Sequence, residues 1–362
     1  MFSGNGAGTS GDPYQITSWA QLDEIRDDLT AHYILMNDLD ENSAGYNTYA
    51  SATANNGKGW IPIGLDTDQQ TILGVFTGSL DGDFHTISNL RMDNTARGDV
   101  ERGLGFIFQI FSTVKNIALL DVKVDTAGRR CGTLGRNIQD NAEISNCYVQ
   151  GSITSSRSIN VDCGALCWIF FENASIENIW TDVTITSTNN AGRIGGLVAD
   201  MRRSTSSINN CYAIGEIITT SNFEVNGLVG RLHDGASASQ TTNSFWDEDT
   251  VGVTSGTAGT GKTNAEMKDR DTFTDTATAG LTTAWDMAAV DTYDDTKVWG
   301  IGQLGGVTIN DGYPYLMGFQ EESEPSGTFG LKLGSTTINK VMLGSTEIKK
   351  IYLGTTVIYE NL

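Results

Sequence analysis

Two short phrases recur along the 362-residue chain at one spacing, and that recurrence restricts the fold more than any other feature. "HTISNLRM", "STVKNIAL", "AEISNCYV", "ASIENIWT", "SSINNCYA" and, more loosely, "SQTTNSFW" share Asn89, Asn116, Asn146, Asn178, Asn210 and Asn243, at spacings of 27, 30, 32, 32 and 33. Between them fall "GTLG", "GALC", "GGLV" and "NGLV", whose Leu134, Leu166, Leu197 and Leu228 lie 32, 31 and 31 apart. Two independent markers with one period indicate stacked repeats. Tetratricopeptide and ankyrin repeats have similar lengths but need helical periodicity, which is absent here. Instead the residues after each asparagine alternate. Cys147, Val149 and Ile153 would face a core, and Tyr148, Gln150, Ser152 and Thr154 would face away from it. The expected fold class is therefore all-β: a parallel β-helix with coils of about 30 residues, short capping helices and a small C-terminal β module.

Stacking puts like residues above like, roughly 4.8 Å apart. The asparagine column then reads either as an amide ladder at a corner or as a turn residue kept for its backbone angles. Two residues further on, Tyr148, Trp180, Tyr212 and Phe245 form an outward-facing column. Exposed, such rings could grip sugar faces as a glycan or receptor contact; covered by loops, they would form a side core. Composition agrees with short strands and turns, with 42 glycines against 4 prolines. The formal net charge of −21 repels nucleic acid and anionic membranes, although it permits bound Ca²⁺. No apolar run is long enough to span a membrane, and the N-terminus lacks the basic start and apolar run of a signal peptide.

An open solenoid must cover its ends. In residues 1–60, "TSWAQLDEIRDDL" offers a helical lid: Ser18 and Gln21 match a capping box, and Leu22, Ile25 and Leu29 share one face. Repeats occupy 61–250. Residues 251–316 read as a second cap, with a short helix in "NAEMKDRDTF" and a closing segment, "KVWGIGQLGGVTINDGYPYL". Residues 317–330 have the composition of a linker.

The residues of "GGLVADMRRSTSSINNCYAIGEI" and "NGLVGRLHDGASASQTTNSFWDEDT" resemble the GLUG-motif repeats of bacterial and phage surface proteins. "GTSGDPYQITSWAQLDEI", "GVFTGSLDGDFHTISNL", "GKTNAEMKD" and "GYPYL" are also similar to that family, so the resemblance spans about residues 8 to 316. It implies a β-helical, adhesin-like stalk and supplies no catalytic residue. The third coil departs from the pattern: "CGALCWIFF" replaces a glycine-rich turn, so a rebuilt loop is expected there.

Residues 331–362 hold three tandem decamers in which Leu333, Leu343 and Leu353 precede Gly334, Gly344 and Gly354. They resemble an element at the ends of phage tail and virion-associated proteins. Each unit reads as strand, Gly turn, strand. The segment carries +2 against −23 for the remainder, which suits a docking or oligomerisation foot, the alternative being a plug on the solenoid.

Catalytic chemistry finds little purchase. "GTAGTGKT" fits the P-loop pattern through Gly256, Gly261, Lys262 and Thr263, but a polar repeat end precedes it where a phosphate cradle needs a buried apolar strand. His32, His85 and His233 are scattered. The five cysteines form no CxxC pair, and the odd count suits free thiols used as small core residues. Asp247, Glu248 and Asp249 cluster, and Asp81 and Asp83 flank a glycine; in a chain with 44 acids, solvated turns explain both. No cofactor is implied. The expectation is a non-enzymatic virion protein, a phage tail fibre or receptor-binding protein. Its partners would be a host-surface glycan or protein, other virion proteins and sister copies, a trimer being one candidate. The rivals are a β-helical polysaccharide depolymerase using paired carboxylates, and a purely structural head fibre or decoration protein.

Overall fold

The computed structural model describes residues 2–98, 101–187, 190–220 and 223–321, with backbone alone at 159, 190 and 191 and in the strands between Leu331 and Glu360. Gly334, Gly344, Gly354 and most of the linker, 322–330, lie outside the described residues. Two compact units emerge, Met1–Asp286 and Met287–Leu362.

The first unit is a parallel β-solenoid of about five turns. Its longest sheet stacks, in order, Tyr14–Ile16, His32–Leu35, Ser79–Asp81, Thr113–Lys115, Glu143–Ser155, Ser175–Ser187, Tyr212–Ala213, Phe245–Asp247 and Thr260–Lys262. A second sheet runs Ile107–Ile110, Gly135–Gln139, Cys167–Phe171, Val198–Arg202 and Val229–His233. A third runs Arg130–Cys131, Ile159–Gly164, Asn190–Gly195 and Val225–Asn226. Every pairing within these three sheets is parallel, because each strand's neighbour is the same segment one coil later.

The alternation read from the sequence explains the core. Ile144, Ile176 and Ile208 stand in register on successive coils, as do Ile153, Ile185 and Ile217, and all six are buried. Burying such a side chain contributes about 1.5–3 kcal/mol, so a column repeated through the stack outweighs the few polar groups it excludes from water. The leucine marker lies at a corner. Leu134 N–H donates to Leu166 O (3.2 Å), Leu166 N–H to Leu197 O (2.9 Å) and Leu197 N–H to Leu228 O (2.9 Å). This chain passes through "GALC" unbroken, so the expected rebuilt loop is absent. Glycine is demanded at that position only in the later coils: a Cβ on Gly196 would lie 2.3 Å from Gly227 O and one on Gly227 2.2 Å from the Trp246 ring, where the earlier coils carry Thr133 and Ala165.

Both readings of the asparagine column hold together. Asn116, Asn146, Asn178, Asn210 and Asn243 all have left-handed backbone, with φ between 49° and 54°. Their amides also form a ladder: Asn146 Nδ2 donates to Asn116 Oδ1 (3.1 Å), Asn178 to Asn146 (3.1 Å) and Asn210 to Asn178 (3.4 Å). Two members need correction. Asn89 stands outside the column, at a different corner, where its N–H bonds Leu120 O and its amide meets Glu41; Asp81 instead caps the ladder by accepting from Asn116 (3.0 Å). The spacing of 27 from Asn89 to Asn116 is shorter than the 30 to 33 of the other members. Asn243 turns its amide nitrogen to Asn209 and its Oδ1 to Thr282 and Thr283, ending the ladder at the cap. Replacing Asn178 separates the two roles. Asn178→Gly keeps the backbone angle but loses two amide bonds, costing about 1–3 kcal/mol. Asn178→Ala should cost a further 1–2 kcal/mol or so for a left-handed Cβ. Urea unfolding of both variants checks this order; equal losses would remove the backbone role.

The N-terminal helix Trp19–Asp23 forms with Ser18 accepting from Gln21 N–H, while the Gln21 side chain accepts from Thr17 N–H. Leu22 and Ile25 are buried in the solenoid core, and Leu29 packs against it. The second cap divides differently from the expected boundary at 316. Short helices at Asn264–Met267 and Asp271–Thr274, with Trp285, belong to the solenoid unit, because Trp285 packs on its rings. Within the second unit Trp299–Ile301 pairs antiparallel with Pro314–Leu316. The terminal decamers form three antiparallel hairpins, Leu331–Leu333 with Thr336–Ile338, Val341–Leu343 with Thr346–Ile348, and Lys350–Leu353 with Thr356–Glu360.

Candidate functional site

The aromatic column exists, and most of it is covered. Tyr148, Trp180, Tyr212 and Phe245 occupy one register position on four successive coils. Tyr148 and Trp180 stack at 4.4 Å and 5°, and Trp180 and Tyr212 at 5.9 Å and 6°. The cap then closes over the column: Trp285 lies 6.3 Å from both Tyr212 and Phe245, and Phe273 meets Phe245 edge-on at 5.5 Å. Trp180, Tyr212 and Phe245 are 3 %, 0 % and 0 % exposed, which corrects the expectation of an exposed ring surface. Tyr148 remains half-buried, and burial pushes its phenol up to about 12. The covering residues fall outside the repeat, so the period carries no sign of them.

A second constellation escaped the sequence reading. On the third sheet Arg130, Asp162, Arg193 and Glu224 share one column, alternating in charge; the register pairs Arg130 with Asp162 and Asp162 with Arg193, and Ile194 with Val225 directly after Glu224. Arg193 NH1 donates to Asp162 (3.2 Å) and Arg193 forms an ion pair with Glu224 (2.9 Å), as does Arg129 with Asp162 (3.3 Å). The neighbouring second sheet supplies Asp200, held by Arg202 (2.8 Å) and Arg231 (2.7 Å). Asp162 and Asp200 are almost fully buried in this corner. Burial raises the Asp162 carboxyl above its ordinary range, opposed by Arg193 and Arg129. At the N-terminal end of the ladder Arg136 lies between the rings of Phe108 (5.0 Å) and Trp168 (4.7 Å), and Arg130 lies over Trp168 (4.4 Å). The missed signal was charge alternation at the repeat spacing: 130, 162, 193 and 224 are 32, 31 and 31 apart.

The remaining candidates serve the fold. Asp247 caps the helix Glu248–Val251 and accepts from Asn264, whose N–H donates to Asp249. Asp81 holds Asn116 and Lys115, and Asp83 sits in a left-handed turn where its N–H donates to Asp81. In the P-loop-like stretch Thr260–Lys262 is a strand, Lys262 pairs with Glu266 (3.7 Å), and Thr263 caps a four-residue helix; that is no phosphate cradle. His32 bonds Ser79, and His85 and His233 face Asp38 and Asp234. Cys131 and Cys163 are joined by a disulfide, which corrects the expectation of free thiols for that pair; Cys147, Cys167 and Cys211 are free and buried. Among the described residues no group of three or more His, Cys, Asp or Glu is placed to hold a metal ion, and no helix is long and apolar enough to cross a membrane.

No family model matches the chain. It is 32% identical over 162 residues, 44% of its length, to Halomucin of Haloquadratum walsbyi, and 40% identical over 84 residues, 23% of its length, to a "Putative Gly-rich membrane protein" of Evansella cellulosilytica. The chain spans only 2% and 10% of those two relatives. Among solved structures, a Bacteroides ovatus protein described as "a putative immunoglobulin A1 protease" superposes with a TM-score of 0.52 at 17% identity, covering 87% of this chain and 95% of that one. That likeness establishes a common fold alone.

Proposed function

We propose that this chain is a non-enzymatic, adhesin-like surface-binding protein, and more specifically a receptor-binding or tail-fibre component of a phage particle in the GLUG-repeat class. The observation that carries the reading is the parallel solenoid itself, a stiff stack of about five coils, together with three terminal pairs of antiparallel strands whose segment has the opposite charge to the rest. The stack offers a long scaffold for contacting a host-surface glycan or protein. Leu333, Leu343 and Leu353 end the first strand of each hairpin, and units this small need outside support, since chains below about 40 residues rarely fold alone. Sister copies or other virion proteins would supply it. Of the clustered carboxylates read from the sequence, Asp247 is engaged in a helix cap and Asp81 in the amide ladder, which favours binding over hydrolysis. The inter-coil disulfide suits work outside a reducing cytoplasm. One of the relatives is itself named a membrane protein, which agrees with a surface role.

Fluorescently labelled full-length protein should stain host cells while leaving the viscosity of their capsular polysaccharide unchanged. Deleting residues 327–362 should leave a folded β-helix that no longer self-associates or joins particles, as read by sedimentation and particle incorporation. Falling viscosity would identify a depolymerase, and particle incorporation without staining a head fibre or decoration protein. Normal assembly of the truncated protein would reduce the hairpins to a plug.

A further inference from the structure

Resting on that surface-binding reading, we propose that Arg102, Arg130 and Arg136, beside Trp168, form a binding site for an anionic polysaccharide bearing carboxylate or sulfate groups. Eight of the chain's thirteen arginines gather where the second and third sheets meet. Five of the eight have carboxylates within 4 Å: Arg129 and Arg157 face Glu101, Arg193 holds Asp162 and Glu224, and Arg202 and Arg231 hold Asp200. The other three have none among the described residues, in a protein with 44 acids to offer.

These three guanidinium groups are neighbours. A Cβ placed on Gly103 would lie 1.9 Å from Arg130 O, and one on Gly128 would lie 2.4 Å from Arg102 O, so the two segments run in direct contact. The Arg136 charge is held below its ordinary pKa by burial first, then by Arg130 and Arg102, against the opposing pull of Glu101. Arg136 is 8 % exposed, its NH1 donates to Asn137 Oδ1 (2.9 Å), and its Nε has no hydrogen-bond partner. The buried Nε of Arg130 and Nε1 of Trp168 are likewise unsatisfied. Arg130 and Arg136 meet the face of Trp168 at 4.4 and 4.7 Å in place of a carboxylate, so their positive charge is left without an anionic partner.

Exposure divides the roles. Arg102 is exposed and Arg130 half-buried, so they can meet ligand oxygens, while Arg136 lies beneath as a fixed charge in a low-dielectric wall. Carboxylates and sulfates match the guanidinium fork. The acidic remainder of the protein does not forbid this, because charges beyond about 8 Å are largely screened at physiological salt. Repetition also fits: a polysaccharide presents an anion on successive sugars, and Arg102 and Arg130, from adjoining segments, are both open to solvent.

Binding of the full-length protein to polygalacturonate, dextran sulfate and neutral dextran, measured by calorimetry at 50 and 300 mM salt (on the order of the range over which phosphate-type contacts weaken sharply), tests the site. Dissociation constants should favour one or both polyanions over neutral dextran and weaken with salt; the stronger of the two identifies carboxylate or sulfate as the natural group. Arg102→Gln with Arg130→Gln should weaken binding about tenfold or more, as expected for losing charge-assisted hydrogen bonds. Arg130→Lys, which keeps the charge but not the fork, should weaken binding less than the double variant, and Lys123→Gln, in the strand Ala118–Thr126, should leave it unchanged. Equal binding to dextran, or an undiminished double variant with a native circular dichroism spectrum, overturns the site. Cell staining that survives excess polyanion refutes this site while leaving the surface-binding reading intact. Polyanion binding without cell staining does the reverse.

Discussion

Trp180→Ala should destabilise the solenoid by about 3–5 kcal/mol, the cost of deleting a large buried ring whose cavity cannot collapse. Trp180 is packed between Tyr148 and Tyr212, with backbones on either side fixed by the parallel register. The neighbouring coils cannot move inward, because every strand is tied above and below. With about 2–4 °C of melting temperature per kcal/mol in a large domain, the transition should fall by roughly 10 °C. Tyr148→Ala, at the less covered end of the column, should cost clearly less. A calorimetric scan checks both. If Trp180→Ala melts with the parent protein and instead loses cell binding, the ring is a contact surface and the packing account fails.

That outcome bears on what a repeat sequence can and cannot reveal. The coil, its register and its inward columns follow from alternation and period, because each is a property of one coil repeated. Burial of the outward face is different. Whether Tyr212 and Phe245 are wet depends on Phe273 and Trp285, which occur once and lie beyond the last coil. No periodic signal can announce a lid. The arginine corner was hidden for another reason: at 32, 31 and 31 residues its spacing matches the markers, but its identity alternates in sign instead of repeating. A search for like residues passes over Arg130, Asp162, Arg193 and Glu224, although stacking makes opposite charges better neighbours than like ones. Asn89 shows the converse, a matching letter at a non-matching corner.

Breaking the bond between Cys131 and Cys163, by reduction or by Cys131→Ala with Cys163→Ala, should cost about 3–4 kcal/mol, the chain-entropy value for a loop of this length. The two residues are 32 apart and directly paired across adjacent coils of the third sheet, with Cα atoms 4.9 Å apart, so the bond staples one coil onto the next. A stack is held only by contacts between neighbours, which makes one inter-coil staple effective against peeling at that interface. The bond also stands beside Arg130 and Asp162, holding the start of the charge ladder in register. Thiol counting gives an independent check. Cys147, Cys167 and Cys211 are buried; burial pushes the Cys147 thiol up to about 12 and the other two higher still, so the native protein should present no reactive thiolate at neutral pH. Denaturation without reductant should release three thiols, and with reductant all five. Five thiols before reduction, with a melting temperature indifferent to reductant, would return Cys131 and Cys163 to the role of small packed core residues.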